Sequence, residues 1–223
     1  MCGINGIYAY HAAADTPKER ELLATREHMQ ARGPDGHGQW WTLDRRCALA
    51  HRRLSILDLS ERAAQPMVAR EGRHVIVYNG EIYNYPALRS ALEGAGVRFE
   101  TTSDTEVLLH LYARYGTNML DHLRGMYAFA IWDDARRGLF LARDPYGIKP
   151  LYTAHDGWTF RFASQVKALL AGQEISREVE PAGVVGFHLF GHVPEPFTLF
   201  RQIRALPAGH WQWVDETGPC EPQ

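Results

Sequence analysis

Short β-prone runs separated by tight polar turns recur along most of this chain, and they restrict its fold more than any single motif does. Two adjacent stretches show the plan most clearly. "MYAFAIWDDARRGLFLARD" (126–144) reads as two strands joined by a polar turn, and "PLYTAHDGWTFRFAS" (150–164) repeats it with Asp156-Gly157 at the corner. Earlier runs of the same kind are "INGIYAY", "GQWWTL", "CALAHRRLSI" and "HVIVYN", the last leading into Asn79-Gly80, a strong hairpin signal. Helices are fewer and well marked. A half-apolar face of Leu22, Leu23, Arg26 and Met29 predicts one over 18–32, stopped by Gly33-Pro34. Pro86 starts a second in "YPALRSALEGAG". Ser103 and Glu106 make a capping box for a third, with Val107, Leu108, Leu111, Tyr112 and Tyr115 on one face. A short fourth is "QVKALLAG". Strands and amphipathic helices in this mixture suit two sheets with helices outside them.

Composition narrows the function classes. With 223 residues, 45% hydrophobic and 22% charged, the chain fits one large globular domain. A net charge of -2 without a basic cluster argues against nucleic acid or an anionic membrane as partner. No apolar run reaches transmembrane length, and the N-terminus lacks the basic flank and apolar core of a secretory signal, so a cytoplasmic protein is expected. Cys2, Cys47 and Cys220 are odd in number and widely spaced, which speaks against a disulfide framework or a zinc site and for reduced thiols. The 11 histidines show no ligand spacing, so no metal site is expected. "RGPDGHG" lacks the context and lysine of a phosphate loop and fits a mobile flap better. From about residue 181 prolines scatter and periodicity fades. This suggests a domain over 2–180 followed by a connecting segment over 181–223.

The chain opens "MCGI". Cys2 is either an ordinary small residue near a chain end or, once Met1 is trimmed, a thiol and a free α-amine on one residue. The two groups would titrate near pKa values of about 8.5 and about 7.7 to 8.0, so one could activate the other. Cys47, in an apolar strand, reads as packing, and Cys220 carries no signal.

In order along the chain stand "CGI", "RGPDGHG", "AHRRLSILDLS", "AAQPM", "NGEIYNY", "SDTEVLLHLY", "LRGMYAFAIWD" and "LARDPYGIKPLY". This series closely resembles the glutaminase domain of asparagine synthetases, a class II glutamine amidotransferase of the N-terminal-nucleophile type, from residue 2 to about 210. The resemblance implies an α+β fold, the αββα four-layer sandwich, and hydrolysis of L-glutamine to glutamate and ammonia. It implies Cys2 as the nucleophile attacking the carboxamide carbon, its own α-amine passing the thiol proton to the leaving ammonia, and water cleaving the γ-glutamyl thioester. Asn79 and Gly80 match the family's oxyanion donors: a tight Asn-Gly turn would offer a side-chain amide and a backbone N–H.

Glutamine ends in a zwitterion, so its site needs a cation for the carboxylate and anions for the ammonium. Arg53 aligns with the family's carboxylate-binding arginine. Neighbouring strand residues face opposite ways, so only one of Arg52 and Arg53 can point inward, and the register of "RLSI" selects Arg53. Leu54, Ser55, Ile56 and Leu57 follow as pocket lining, and Glu81 and Asp104 are the candidate ammonium partners. Asp144 and Lys149, in "RDPYGIKPLY", read as structural. No cofactor is expected for this chain. ATP and magnesium belong to a synthetase domain expected in cis or in trans, whose "SGG" loop is missing here. Phe187, Leu189, Phe190, Phe197 and Phe200 are candidate contacts for it. Two alternatives stay open: a catalytically weak binding or scaffolding module, and a glutaminase serving an acceptor other than aspartate. A homodimer also stays open.

Overall fold

The computed structural model describes residues 1–223. Its first sheet holds β1 (Gly3–Ala9), β2 (Gly36–Trp41), β3 (Cys47–Arg53), β8 (Tyr152–His155), β9 (Thr159–Ala163) and β10 (Ile203–Ala205), in the order β10-β8-β9-β1-β3-β2. The second holds β4 (Met67–Val68), β5 (His74–Ile82), β6 (Gly125–Asp133), β7 (Gly138–Arg143), β11 (Trp211–Asp215) and β12 (Gly218–Pro219), in the order β12-β11-β7-β6-β5-β4. Every pairing is antiparallel.

The period of two along each strand decides which side chains meet. Ile4 and Tyr8 of β1, Cys47 and Leu49 of β3, Val75 and Val77 of β5, and Ala128, Ala130 and Trp132 of β6 form one buried core between the sheets. The intervening residues face outward. Ile76, Tyr78, Ile82, Phe129 and Ile131 pack beneath α2 (Tyr85–Gly94) and α3 (Asp104–Tyr115), against Leu92, Val107, Leu108, Leu111 and Tyr112. On the other sheet, Ile7, Ala48 and Ala50 receive Leu22 of α1 (Glu19–Glu27), and Ala154 and Ala163 receive Ala168 to Leu170 of α4 (Val166–Ala171). Each buried aliphatic or aromatic side chain contributes about 1.5–3 kcal/mol. The result is the αββα sandwich.

Several local expectations change. Asn79-Gly80 is not a turn: both residues lie inside β5, opposite Ala128 and Tyr127 of β6. Glycine is needed at 80 for closeness, since a Cβ there would sit 2.4 Å from Met126 O and 2.6 Å from Tyr78 Cε2. The expected first helix stops at Glu27 and continues as turns. Ser103 caps α3 by accepting Thr105 N–H at 3.1 Å, but Glu106 reaches past it to accept the N–H groups of Glu100 and Thr101, so the capping box is not formed. Tyr115 leaves the buried face and is 39% exposed. "CALAHRRLSI" is strand only as far as Arg53. Of the expected flap, Gly36 to Gly38 lie in β2, while Asp35 N–H donates to Arg53 O and Asp35 Oδ2 accepts Ser55 N–H at 2.8 Å.

Residues 181–223 are more than a connecting segment. They form α5 (Pro181–Phe190), then β10 on the edge strand β8 and β11 along β7, so that both sheets are completed from this stretch. Strands of three, five and two residues are too short to display a period. No helix is long and apolar enough to cross a membrane.

Candidate active site

The inward parity that builds the core continues past it and assembles a site. On β3, Cys47 and Leu49 face inward, so His51 and Arg53 follow. On β5 the same step carries Val75 and Val77 on to Asn79 and Glu81, and Cys2 precedes the inward Ile4 of β1. Arg52, of opposite parity, instead pairs with Glu27 of α1. Cys2, Arg53, Leu54, Ile56, Leu57, Asn79, Gly80, Glu81 and Asp104 all line one cavity of about 290 Å³. Ser55 does not: its N–H is drawn to Asp35. The cavity also takes in Gln65, Tyr78, Met126 and Lys149, which sequence reasoning missed or set aside.

The Cys2 thiol is half-buried, 3.4 Å from Leu54 N, which donates to it. Burial pushes its pKa up, and the Leu54 N–H opposes that rise. Arg32 Nε donates to Cys2 O at 3.0 Å and so fixes the backbone leading to β1. Asn79 is 1% exposed, and its Nδ2 is buried without a hydrogen-bond partner. The neighbouring Gly80 N–H faces the same way as the amides on either side of it along this edge. Tyr78 N–H donates to Gln65 Oε1 at 2.6 Å and Ile82 N–H to Asp104 Oδ2 at 3.1 Å, so from Tyr78 onward the even-numbered amides of β5 turn away from β6 toward the cavity. A site with one unpartnered amide and one adjacent edge N–H can receive an oxygen that gains negative charge. Beneath it, His51 is fully buried and holds Tyr78 O at 3.2 Å through Nε2; burial pulls its pKa down to about 3, so the ring is neutral.

At the other end stand two acids. Asp104, the first residue of α3, accepts Tyr78 OH at 2.8 Å as well as Ile82 N–H. Burial pushes its carboxyl up, against the pull of those donors. Glu81 is also pushed up, by burial and then by the Asp104 charge, and Lys149 pulls it back. A pair of carboxylates held at this cost is suited to a bound cation. Arg53 braces the loop that follows it: Nη1 donates to Ser60 O at 3.0 Å and Nη2 to Asp58 O. Asp58 in turn receives Thr102 N–H at 2.7 Å, joining the loop to the start of α3. Its carboxyl is held down to about 2 by the Ser60 hydroxyl and the Thr102 N–H.

Comparison with known proteins places the chain in a family. A family model described as a glutamine amidotransferase domain matches residues 1–222. The asparagine synthetase [glutamine-hydrolyzing] 1 of Bacillus subtilis (strain 168) is 40% identical over 210 residues, covering 94% of this chain and 33% of that protein. Amidase chry2 of Gibberella zeae is 37% identical over 180 residues, covering 77% of this chain and 26% of its own. The chain therefore spans about a third of the length of such relatives. Among solved structures, the glutamine phosphoribosylpyrophosphate amidotransferase of B. subtilis, complexed with ADP and GMP, superposes with a TM-score of 0.70 over 98% of this chain and 48% of its own. At 23% identity that likeness speaks to the fold alone. The chain belongs to the glutamine amidotransferase domain family, in the class II form that asparagine synthetases carry.

Proposed function

We propose that this domain hydrolyses L-glutamine to glutamate and ammonia with Cys2 as nucleophile. The observation that carries the proposal is the buried, unpartnered Nδ2 of Asn79 in the cavity that also holds the Cys2 thiol. A buried amide without a partner costs about 1–3 kcal/mol, and a developing oxyanion would satisfy it. Because burial raises the thiol pKa, Cys2 needs a base at neutral pH. Removal of Met1 supplies one: the α-amine then sits on Cys2 itself. Sγ attacks the carboxamide carbon, the amine transfers the thiol proton to the leaving nitrogen, and Asn79 Nδ2 and Gly80 N–H hold the oxyanion. Water, deprotonated by the same amine, then cleaves the thioester. Glu81 and Asp104 receive the substrate ammonium. Arg53, with a guanidinium already bound to loop carbonyls, offers its remaining charge to the carboxylate. Thiol, amine and amide donors suffice for these steps, so no metal or cofactor is assigned to this chain. A reactive thiol suits a reducing compartment such as the cytoplasm.

The nitrogen acceptor and ATP chemistry are assigned to a synthetase domain, in cis or in trans. Support comes from the relatives' threefold greater length and from α5, where Phe187, Leu189 and Phe190 are 51%, 70% and 64% exposed. Phe197 and Phe200 are half-buried.

The test is a glutaminase assay on purified protein whose intact mass shows loss of Met1. Cys2→Ser should abolish glutamate release without unfolding the domain, and 6-diazo-5-oxo-norleucine should label Cys2 and spare Cys47 and Cys220. Turnover by Cys2→Ser, or an adduct mapped elsewhere, would overturn the proposal.

A further inference from the structure

Lys149 holds a place in the cavity that the reaction described above does not use. It is 6% exposed and lines the same cavity as Cys2 and Glu81. Its backbone is fixed on both sides: its N–H donates to Asp144 Oδ2 at 2.9 Å and its carbonyl accepts Arg143 Nε at 3.0 Å. Its hydrogen bonds are these backbone ones; its ammonium forms no ion pair within 4.0 Å and opens onto the cavity. The nearest acid in sequence cannot serve it. The Asp144 carboxylate is occupied by the N–H groups of Tyr127, Tyr146, Ile148 and Lys149. An ammonium in a mostly enclosed cavity is stabilised where an opposite charge faces it. Register supplies that charge. Glu81 lies opposite Met126, and the turn carrying Lys149 is tied to the next residue, Tyr127, by Asp144 N–H donating to Tyr127 O at 2.8 Å.

We infer that Lys149 is a positioning residue for glutamine binding, whose ammonium shares the cavity with Glu81 and draws that carboxylate into place to receive the substrate ammonium. The groups facing Glu81 are Asp104 from α3, Tyr78 from β5 itself, Cys2 from the chain before β1, and Lys149. Without Lys149, the Asp104 charge would stand unopposed against that of Glu81. Lys149 offsets that opposition without touching the reacting atoms.

The inference rests on the glutaminase reading, and the experiment separates the two. Glutamine kcat and KM are measured from mildly acid to mildly alkaline pH for the wild type, Lys149→Met, Lys149→Arg, Glu81→Gln and the double variant Lys149→Met/Glu81→Gln. An inactive wild type with Met1 removed would sink the glutaminase reading itself. With an active wild type, Lys149→Met should raise KM roughly threefold to tenfold at neutral pH, move the acid limb of the KM profile to higher pH, and leave kcat near its wild-type value. Lys149→Arg should restore both. In the Glu81→Gln background the Lys149→Met change should have almost no further effect on KM. Additive losses in the double variant would mean that Lys149 meets the substrate directly, and an unmoved pH limb would mean that it only packs; either overturns the inference. If Lys149→Met does not fold, Lys149→Gln carries the same comparison, and the Lys149→Arg profile is read against Glu81→Gln.

Discussion

Replacing Asn79 with alanine should separate catalysis from stability in a way few buried substitutions do. Truncating a side chain that is 1% exposed ordinarily destabilises, because packing is lost and a small void remains. Here the amide nitrogen removed has no partner, so its desolvation penalty of about 1–3 kcal/mol is relieved by the same change. The two effects are of similar size and opposite sign, leaving a net change within about 1 kcal/mol. For a chain of this length that is a shift of about 2–4 °C in Tm. Catalysis should respond very differently. Loss of an oxyanion donor costs roughly 2.7–4 kcal/mol in the transition state, or about 100- to 1,000-fold in kcat, with KM barely altered. The assay is steady-state glutamate release at saturating glutamine, paired with a thermal melt on the same preparation. A kcat within about tenfold of wild type would refute the oxyanion assignment. A large fall in Tm accompanying the loss would show instead that Nδ2 has a structural partner.

Gly80→Ala should fail for a steric reason: the new Cβ meets backbone oxygen of Met126 at 2.4 Å, so β5 and β6 must separate, and a loss of at least about 1–3 kcal/mol is expected in urea titration. A neutral result would mean that the strand pair can yield. Arg53→Ala should raise KM more than it lowers kcat and should also increase protease sensitivity of the loop over 54–60, since the guanidinium bridges to Asp58 O and Ser60 O; unchanged KM would remove Arg53 from the substrate site. His51 is neutral in the fold with its pKa pulled down from 6.5 to about 3, so the unfolded chain binds the extra proton between those values. Stability from this residue is therefore present above pH 6.5 and lost at up to about 1.4 kcal/mol per pH unit as pH falls toward 3. His51→Leu should flatten that part of the curve of urea midpoint against pH, and an unchanged slope would contradict it.

How much of this was open to sequence reasoning follows from the range of the signals involved. The β6–β7 and β8–β9 hairpins, the cap at Ser103 and the choice of Arg53 over Arg52 all rest on contacts or alternations within a few residues, and the structure places them as the sequence suggests. Strand and helix periods suggest two sheets with helices outside them, while the αββα sandwich itself is what the resemblance carried by the ordered motifs implies. Asn79-Gly80 shows where local preference yields. The pair favours a turn in isolation, yet β6 continues alongside β5 as far as Ile82, and pairing over that length outweighs the turn. The strands after residue 200 were hidden for the complementary reason, because their stability comes from the edges of β8 and β7 rather than from their own period.

The site divides along the same line. Sequence alone singled out residue types that line the cavity: a thiol at position 2, an amide and a glycine at 79 and 80, an arginine at 53, acids at 81 and 104. Tertiary structure alone decided that Ser55 turns away to Asp35, that Gly80 N–H opens from a strand edge instead of a turn, that Asn79 Nδ2 is left without a partner, and that Lys149 enters the cavity. Whether a polar group is satisfied or orphaned depends on every segment packed around it, many of them distant in sequence. No local pattern records that sum, so it exists only once the two sheets have closed on each other.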